Sequence, residues 1–328
     1  MRVVTSPKDF QEACISASSE AKRAFGDGSI YLEKYLLRPR HVEFQILADM
    51  HGHVVHLLER ECSIQRRHQK IIEETPSPIM TPELRERMGA AAVAVAKASG
   101  YVNAGTVEFL VDQGGDFYFL EVNTRLQVEH PITEMNTGLD IVRIQLEVAA
   151  GNHLPLIQED VRGRGHAIEC RIYAEDPEKG FYPSPGKIIF MQEPSGPGIR
   201  NDCGIYSGFH VPVEYDPILS KLIAHAEDRN QAIMRMIQAL EDYVILGVKT
   251  PVPFLIDVLK SGAFARGDTF TDFIEAHFAG WKPNRCDADA ACAAFIIDEL
   301  TGGRQAKASA RQEAGDLSPW QTLGPWGR

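Results

Sequence analysis

Two pairs of alternating apolar and polar runs, each pair closed by a turn, constrain this chain most. HVEFQILAD (41–49) and HVVHLLERE (53–61) flank His51-Gly52, while GTVEFLV (105–111) and DFYFLEVN (116–123) flank Gly114-Gly115. Period-2 alternation sends successive side chains to opposite faces of a strand, and a Gly-Gly turn is a hairpin signal. The pattern predicts an antiparallel meander of half-buried strands, preceded by one more strand at IYLEKYL (30–36).

Helical signals surround these strands. Residues 8–24 have helical character. The stretch 81–100 opens on Thr81-Pro82-Glu83, carries Leu84, Met88, Ala91, Ala92 and Val95 on one side and closes on Gly100, which predicts an amphipathic helix. A further helix is expected at about 138–150, ending at Gly151. Strands follow at HAIECRIYAED (166–176) and SKLIAHA (220–226), then helices near 229–243 and 251–260. The fold class is α+β, with a domain boundary near 160. From Asn284 the text turns rich in Ala, Asp, Gly and Arg, with a helix-like patch at 288–300 and an aperiodic tail, SPWQTLGPWGR. No repeat of 20–50 residues is visible.

Length and charge narrow the function. The 328 residues suit about two domains, and 34 Lys+Arg against 45 Asp+Glu give a net charge of −11. That balance argues against a generic nucleic-acid binder but leaves room for a local basic pocket. MRVVTSPKDFQEAC lacks the layout of a signal peptide, and no apolar run approaches the length of a membrane span, so a cytoplasmic location without membrane contact is expected. The six cysteines show no CxxC pair and read as reduced thiols.

Two clusters carry the chemistry. EVNTRLQVEHPITE (121–134) sets Glu121, Glu129 and Glu134 beside Arg125 and two amides, directly after a strand. Buried carboxylates need partners. Glu108 and Glu121 can project from adjacent strands to one face, with Asn123 two residues on, as hard-oxygen ligands for Mg²⁺; the alternative is a pair of strand glutamates bonded to Lys or Arg. ERECSIQRRHQKIIEE (59–74) gathers Arg66, Arg67, His68 and Lys70, able to grip phosphates or a small oxyanion; alone it also reads as a solvated basic face. Together they suggest a metal–nucleotide site for phosphoryl transfer.

YLEKYLLRPRHVEFQ, ERECSIQRRHQKIIEE and FLEVNTRLQVEHPITE, in this order, resemble the biotin carboxylase family of ATP-grasp enzymes. The resemblance continues through GHAIECRIYAED, PSPGKI, YDPILSKLIAHA and LGVKTPVPFL, covering about residues 1–282. It implies a partial ATP-grasp domain, with a lid remnant at 1–36 and a main subdomain at 37–160, then a biotin carboxylase C-terminal domain at 161–283 and a linker from 284.

The implied substrates are ATP with Mg²⁺ or Mn²⁺, bicarbonate, and biotin on a separate carrier domain. Glu33, Lys34 and Leu36 match the adenine-binding segment, and His41, Gln65 and His68 match positions around the ribose and phosphates, with strand-end packing as the alternative for His41. Glu108, Glu121 and Asn123 match the metal ligands. Lys70, Arg125, Gln127 and Val128 match the bicarbonate pocket, and Glu129 matches the base that deprotonates bicarbonate. Arg171 matches the arginine that stabilises the ureido oxygen of biotin; its structural alternative is a salt bridge to Glu169 or Glu175.

The family pattern places a further domain and a Gly-rich phosphate loop before the point where this chain starts. The expectation is therefore a fragment, or a chain completed by another polypeptide, with little or no activity by itself. The tail is similar to the sequence following this unit in acyl-CoA carboxylase α-subunits. Such an origin, with a stand-alone subunit as the alternative, implies a carboxyltransferase partner and a carrier that is either another polypeptide or a continuation of this chain, because no Ala-Met-Lys-Met motif occurs here. A homodimer through the C-terminal domain is a further expectation. The rival readings are an assembly piece without catalysis and another ATP-grasp ligase, of carbamoyl-phosphate or carboxylate–amine type.

Overall fold

The computed structural model describes residues 2–67, 69–283 and 292–297. Contacts divide the chain into a unit at 1–281 and a unit at 282–328; in the latter, residues 292–297 are helical and exposed. The rest of the expected patch at 288–300 and the whole tail lie outside the described residues, as does Cys286. No helix among the described residues is long and apolar enough to cross a membrane. The described cysteines are all free thiols.

The first unit is organised by one antiparallel sheet. Its strands are β1 (Arg40–Ala48), β2 (Val54–Arg66), β3 (Gln69–Thr75), β4 (Asn103–Val111), β5 (Phe117–Asn123), β6 (His166–Tyr173), β7 (Ile199–Cys203) and β8 (Ile218–Ala226). Their spatial order is β7-β8-β6-β3-β2-β1-β4-β5, and every neighbouring pair is antiparallel. The expected meander is present, and the sheet runs on through residue 160 because β3 pairs with β6, Ile72 facing Cys170 and Glu73 facing Glu169.

Helices cover both faces. α1 (Phe10–Phe25) precedes the sheet and ends on Gly26, whose φ of 77° suits a left-handed cap. α2 (Pro82–Ala98) starts where the Thr81 side chain accepts from the Leu84 amide. Its Leu84, Met88, Ala92 and Ala96 pack on Val42, Phe44, Ile46, Val107, Phe109 and Val111. α3 (His130–Thr137) and α4 (Ile141–Ala149) follow β5. α5 (Arg229–Asp242) and α6 (Val252–Lys260) bury Met236, Leu240, Leu255 and Val258 with Ile168, Cys170 and Ile172 of β6. Two short helices, α7 (Gly262–Ala265) and α8 (Phe273–Phe278), complete the unit.

Two expectations need correction. IYLEKYL forms no strand. Residues 27–36 find no pairing partner, and Tyr31, Leu32 and Tyr35 are exposed, so backbone pairing has nothing to offset the cost of ordering an extended segment. β1 is not half-buried: all nine of its residues are inaccessible. Its even-numbered side chains (Val42, Phe44, Ile46) meet α2, while its odd-numbered His41, Glu43 and Gln45 point to the opposite face and are equally covered.

On the same side of the sheet, packed over β2, β3, β6 and β8, lies α3, an element the sequence pattern does not announce. HPITEMNT is a poor helix former by composition. It forms because Pro131 fits the first turn, Gly138 accepts a φ of 74° at the end, and Ile132 packs with Ala167 and Ile223.

Phe109 is the aromatic centre under α2, in edge-on contact with Phe44, Phe117 and Phe119. Phe109→Ala should cost about 3–5 kcal/mol. Urea unfolding followed by circular dichroism should show a midpoint lowered to match.

Candidate active site

The polar face gains its character from register. β1 pairs with β4 so that Glu43 faces Glu108 and Gln45 faces Thr106, and with β2 so that Glu43 faces Arg60. Polar side chains from three strands are thereby stacked over one patch of sheet. On β6 the odd-numbered Glu169 and Arg171 join this face, while Ile168, Cys170 and Ile172 point into the apolar core.

Lys70 on β3 is the hub. Its Nζ donates to Glu43 Oε2 at 2.6 Å, Glu129 Oε1 at 2.7 Å and Glu108 Oε1 at 3.1 Å. Glu129 then passes the connection to a second cation: Arg171 Nη2 donates to Glu129 Oε2 at 2.9 Å, and Arg171 Nε donates to Glu73 Oε1 at 2.6 Å. Arg60 closes the other side, with Nε donating to Glu43 Oε1 at 2.7 Å and its Nη atoms bonded to Gln45, Thr133 and Thr106.

Burial sets the stakes, because an unpaired ion here would cost several kcal/mol. Burial raises the Glu43 carboxyl, but Lys70 and Arg60 outweigh it and hold the group down at about 2. Burial likewise opposes ionisation of Glu108, which His41 and Lys70 hold at about 2. Lys70 is depressed by burial and raised more strongly by Glu43 and its other acidic neighbours, so it remains an ammonium.

Glu169 is different. Fully buried and cross-strand from Glu73, it has no hydrogen-bond partner among the described protein atoms at either oxygen. Burial, then the Glu73 charge, push it well above the usual carboxylate range, against the pull of Lys221 and Arg171. Glu73 itself is pushed up to about 7, chiefly by burial against the pull of Arg171.

The expected metal ligands converge. Glu108 and Glu121 face one another directly across β4 and β5. Asn123 Nδ2 donates to Glu108 Oε1 at 2.9 Å and to Glu121 Oε1 at 3.3 Å. Two carboxylates and an amide at such separations are a hard-oxygen donor set suited to Mg²⁺, once the Asn123 amide turns its oxygen inward. The structural alternative also holds in part, since Lys70 already pairs with Glu108.

The residues expected to line a bicarbonate pocket are adjacent. Arg125 Nη1 donates to Gln127 Oε1 at 2.7 Å, and Gln127 Nε2 donates to Glu108 Oε1 at 3.3 Å. Arg125 is otherwise exposed. The Val128 carbonyl accepts from Lys221 Nζ at 3.0 Å.

His41 Nε2 lies 2.9 Å from Glu108 Oε2, and Gln65 Nε2 sits 3.2 Å from His41 Nδ1, so both belong to the site rather than to simple strand-end packing. His68 lies outside the described residues. Glu33, Lys34 and Leu36 sit on the irregular segment before β1. There Glu33 is exposed, Leu36 is half-buried, and Lys34 Nζ donates to Tyr118 Oη at 2.5 Å.

The basic cluster is not a free patch. Arg66 binds both oxygens of Glu175 and rests on the Phe181 ring, leaving Arg67 exposed. Arg171 pairs with Glu73 and Glu129, not with Glu169 or Glu175 as its structural alternative supposed. Sequence reasoning missed Glu43, Arg60, Glu73, Glu169 and Lys221. The available signal was the position of β1 in the meander, since a central strand is covered on both faces and its alternate polar residues must then be paired.

Comparisons with known proteins complete the picture. Residues 1–157 match the family described as carbamoyl-phosphate synthase L chain, ATP binding domain, and residues 169–276 match the biotin carboxylase C-terminal domain. The chain is 50% identical over 277 residues to biotin carboxylase 2 of Bacillus subtilis, covering 84% of this chain and 62% of that protein. It is 49% identical over 284 residues to the alpha chain of mitochondrial methylcrotonoyl-CoA carboxylase from Rattus norvegicus, covering 86% and 40%. The biotin carboxylase domain dimer of Hydrogenobacter thermophilus 2-oxoglutarate carboxylase, solved with MgADP, ADP and bicarbonate, superposes with a TM-score of 0.80 at 46% identity, covering 87% of this chain and 63% of that one. The chain thus spans less than two thirds of the length of each of these proteins.

A carboxyl that stays protonated in the folded chain and ionises in the unfolded one favours unfolding as pH rises past its ordinary value of 4.5. Glu169→Gln removes this effect. Relative to wild type, the variant should gain stability between about pH 5 and pH 8, by at most about 1.4 kcal/mol per pH unit. Urea titrations at several pH values test the slope; a difference independent of pH would mean that Glu169 is ionised in the fold.

Proposed function

The chain belongs to the biotin carboxylase family of ATP-grasp enzymes, and from that premise we propose that its polar sheet face carries out ATP- and bicarbonate-dependent carboxylation of carrier-bound biotin. The observation carrying this reading is the Lys70 hub, which joins the metal-ligand carboxylate Glu108 to Glu129 and, through it, to Arg171. A phosphoryl donor, a proton acceptor and an oxyanion stabiliser are needed within one substrate's length, and this chain of contacts supplies the protein side of all three.

Glu129 takes the proton of bicarbonate. Lys70 and Arg125 balance the resulting negative charge, with Gln127 fixing the Arg125 guanidinium. The bicarbonate oxygen attacks the γ-phosphorus of ATP, the bond to ADP breaks, and carboxyphosphate forms. It separates into CO₂ and phosphate, the phosphate removes the ureido N–H proton of biotin, and the nitrogen attacks CO₂. Arg171 offsets the charge that grows on the ureido oxygen, an electrostatic contribution of the kind that dominates acyl-type transfers. Mg²⁺, held by Glu108, Glu121 and Asn123, would neutralise phosphate charge. His41, Gln65 and His68 would line the nucleotide, with Glu33, Lys34 and Leu36 at its base.

We assign residues 37–160 to the ATP-grasp main subdomain, 161–283 to the C-terminal domain and 1–36 to the lid. The wider setting we propose is the α-subunit of an acyl-CoA carboxylase, with a carrier domain and a carboxyltransferase as partners and dimer contacts through the C-terminal domain. The match at 169–276 favours this family over other ATP-grasp ligases.

The test supplies Mg·ATP, bicarbonate and a biotinylated carrier domain, and measures phosphate release and carboxylated biotin. Against the low rate expected of this chain by itself, Glu129→Gln should lower phosphate release about 10²- to 10⁴-fold with Mg·ATP affinity kept, whereas Glu108→Gln should weaken Mg·ATP binding itself. A wild-type chain that binds no Mg·ATP yet dimerises would overturn the catalytic reading in favour of an assembly role.

A further inference from the structure

At the end of β1 remote from the hub, a second group of metal-ligating side chains converges. Asp49 directly follows the strand, His53 lies across the β1–β2 turn, and His153 comes from the connection after α4. Six residues of extended strand separate Glu43 from Asp49, a distance of about 20 Å, so this cluster is independent of the catalytic face and of the function proposed for it.

Asp49 is buried, and its carboxylate organises both segments. Oδ1 accepts from the backbone amides of His51 and His53, at 2.8 and 3.0 Å, while Oδ2 accepts from the Leu154 amide at 3.0 Å. The same Oδ2 lies 2.9 Å from His53 Nδ1 and 3.7 Å from His153 Nδ1. His51 adds to the tie by stacking on His153 with ring centroids 3.7 Å apart and placing Nε2 3.0 Å from the Gly151 carbonyl. Both imidazole ligands are open to solvent, with side-chain exposures of 62% and 64%.

We propose that Asp49, His53 and His153 form a binding site for a divalent transition metal of the zinc type. Zinc bound to nitrogen and oxygen at about 2.0–2.1 Å in tetrahedral geometry needs its ligand atoms roughly 3.3 Å apart. The two separations from Asp49 Oδ2 already bracket that value, and all three donor atoms lie within 4.8 Å of one another. One carboxylate with two imidazoles selects Zn²⁺, Ni²⁺ or Cu²⁺ over Mg²⁺ or Ca²⁺. Water completes the shell. Binding replaces the His53–Asp49 contact with bonds from both to the metal, and it staples the β1–β2 turn to a segment about a hundred residues later in the chain.

The test uses the untagged chain with Zn²⁺ in titration calorimetry, with Co²⁺ as the absorbing substitute. Because the catalytic face offers other donors, the readout is the difference between wild type and the double variant His53→Ala/His153→Ala, both positions being exposed enough to leave the fold intact. Wild type should bind one more equivalent of Zn²⁺ than the variant, show tetrahedral Co²⁺ absorption that the variant lacks, and melt about 3–5 °C higher with saturating Zn²⁺. Equal stoichiometry and equal melting shifts in the two proteins would overturn the site and leave the three residues as a hydrogen-bonded turn tie.

Discussion

One ammonium group carries the polar half of this fold. Lys70 meets Glu43, Glu108 and Glu129, which reach it from β1, β4 and the N-terminal end of α3. Without it three buried or nearly buried carboxylates would crowd together, and removal of one partner from a buried ion pair ordinarily costs about 3–5 kcal/mol. Arg60 and Arg171 repeat the arrangement on either side, so positive and negative groups alternate across the sheet. A sheet face lined with charge would normally turn to water. Here α3 packs over part of it because the charges balance locally.

The legible part of the fold was the part governed by local rules. Turn residues and alternation located β1, β2, β4 and β5, and the facing of Glu108 and Glu121 followed from strand pairing alone. What lay beyond such rules was any property decided by a distant partner. Glu43 and Gln45 alternate with apolar neighbours in the way that solvent-facing residues do, and nothing near them in sequence announces Lys70 or Arg60. The strand misread at IYLEKYL had the right alternation but no neighbour to pair with. α3 had weak propensity and was fixed by its caps and by Ile132. Glu129, Lys70 and Arg171 lie far apart in sequence; the complementary charge of their clusters joined the first two, and only the family resemblance added Arg171 before the structure did.

The two faces of β1 divide the work of the protein. Val42, Phe44 and Ile46 hold α2 by apolar burial, which is insensitive to small shifts in charge. His41, Glu43 and Gln45, from the same strand, hold the charged network, where a change of one proton alters several pairings. Glu108 is shared among Lys70, His41, Asn123 and Gln127, so the loss of one contact does not leave it bare. Glu43 and Glu129 are likewise shared, each between Lys70 and an arginine, so the sheet fixes these carboxylates in position without committing them to a single counterion.

Register joins the two family-matched segments into one site. The segment ending at 157 supplies Lys70 and Glu129, and the segment beginning at 169 supplies Glu169 and Arg171. They meet because β6 pairs with β3, setting Glu169 against Glu73 and bringing Arg171 within 2.9 Å of Glu129. A slip of one residue would send Arg171 and Glu169 into the apolar core beneath α5 and bring Cys170 and Ile172 to the charged face. Neither face would tolerate that exchange, the one for lack of ion partners and the other for lack of apolar contact. The patterning that fixes the strand register therefore also positions Arg171 against Glu129, and the sheet needs no separate device to bring the two segments into alignment.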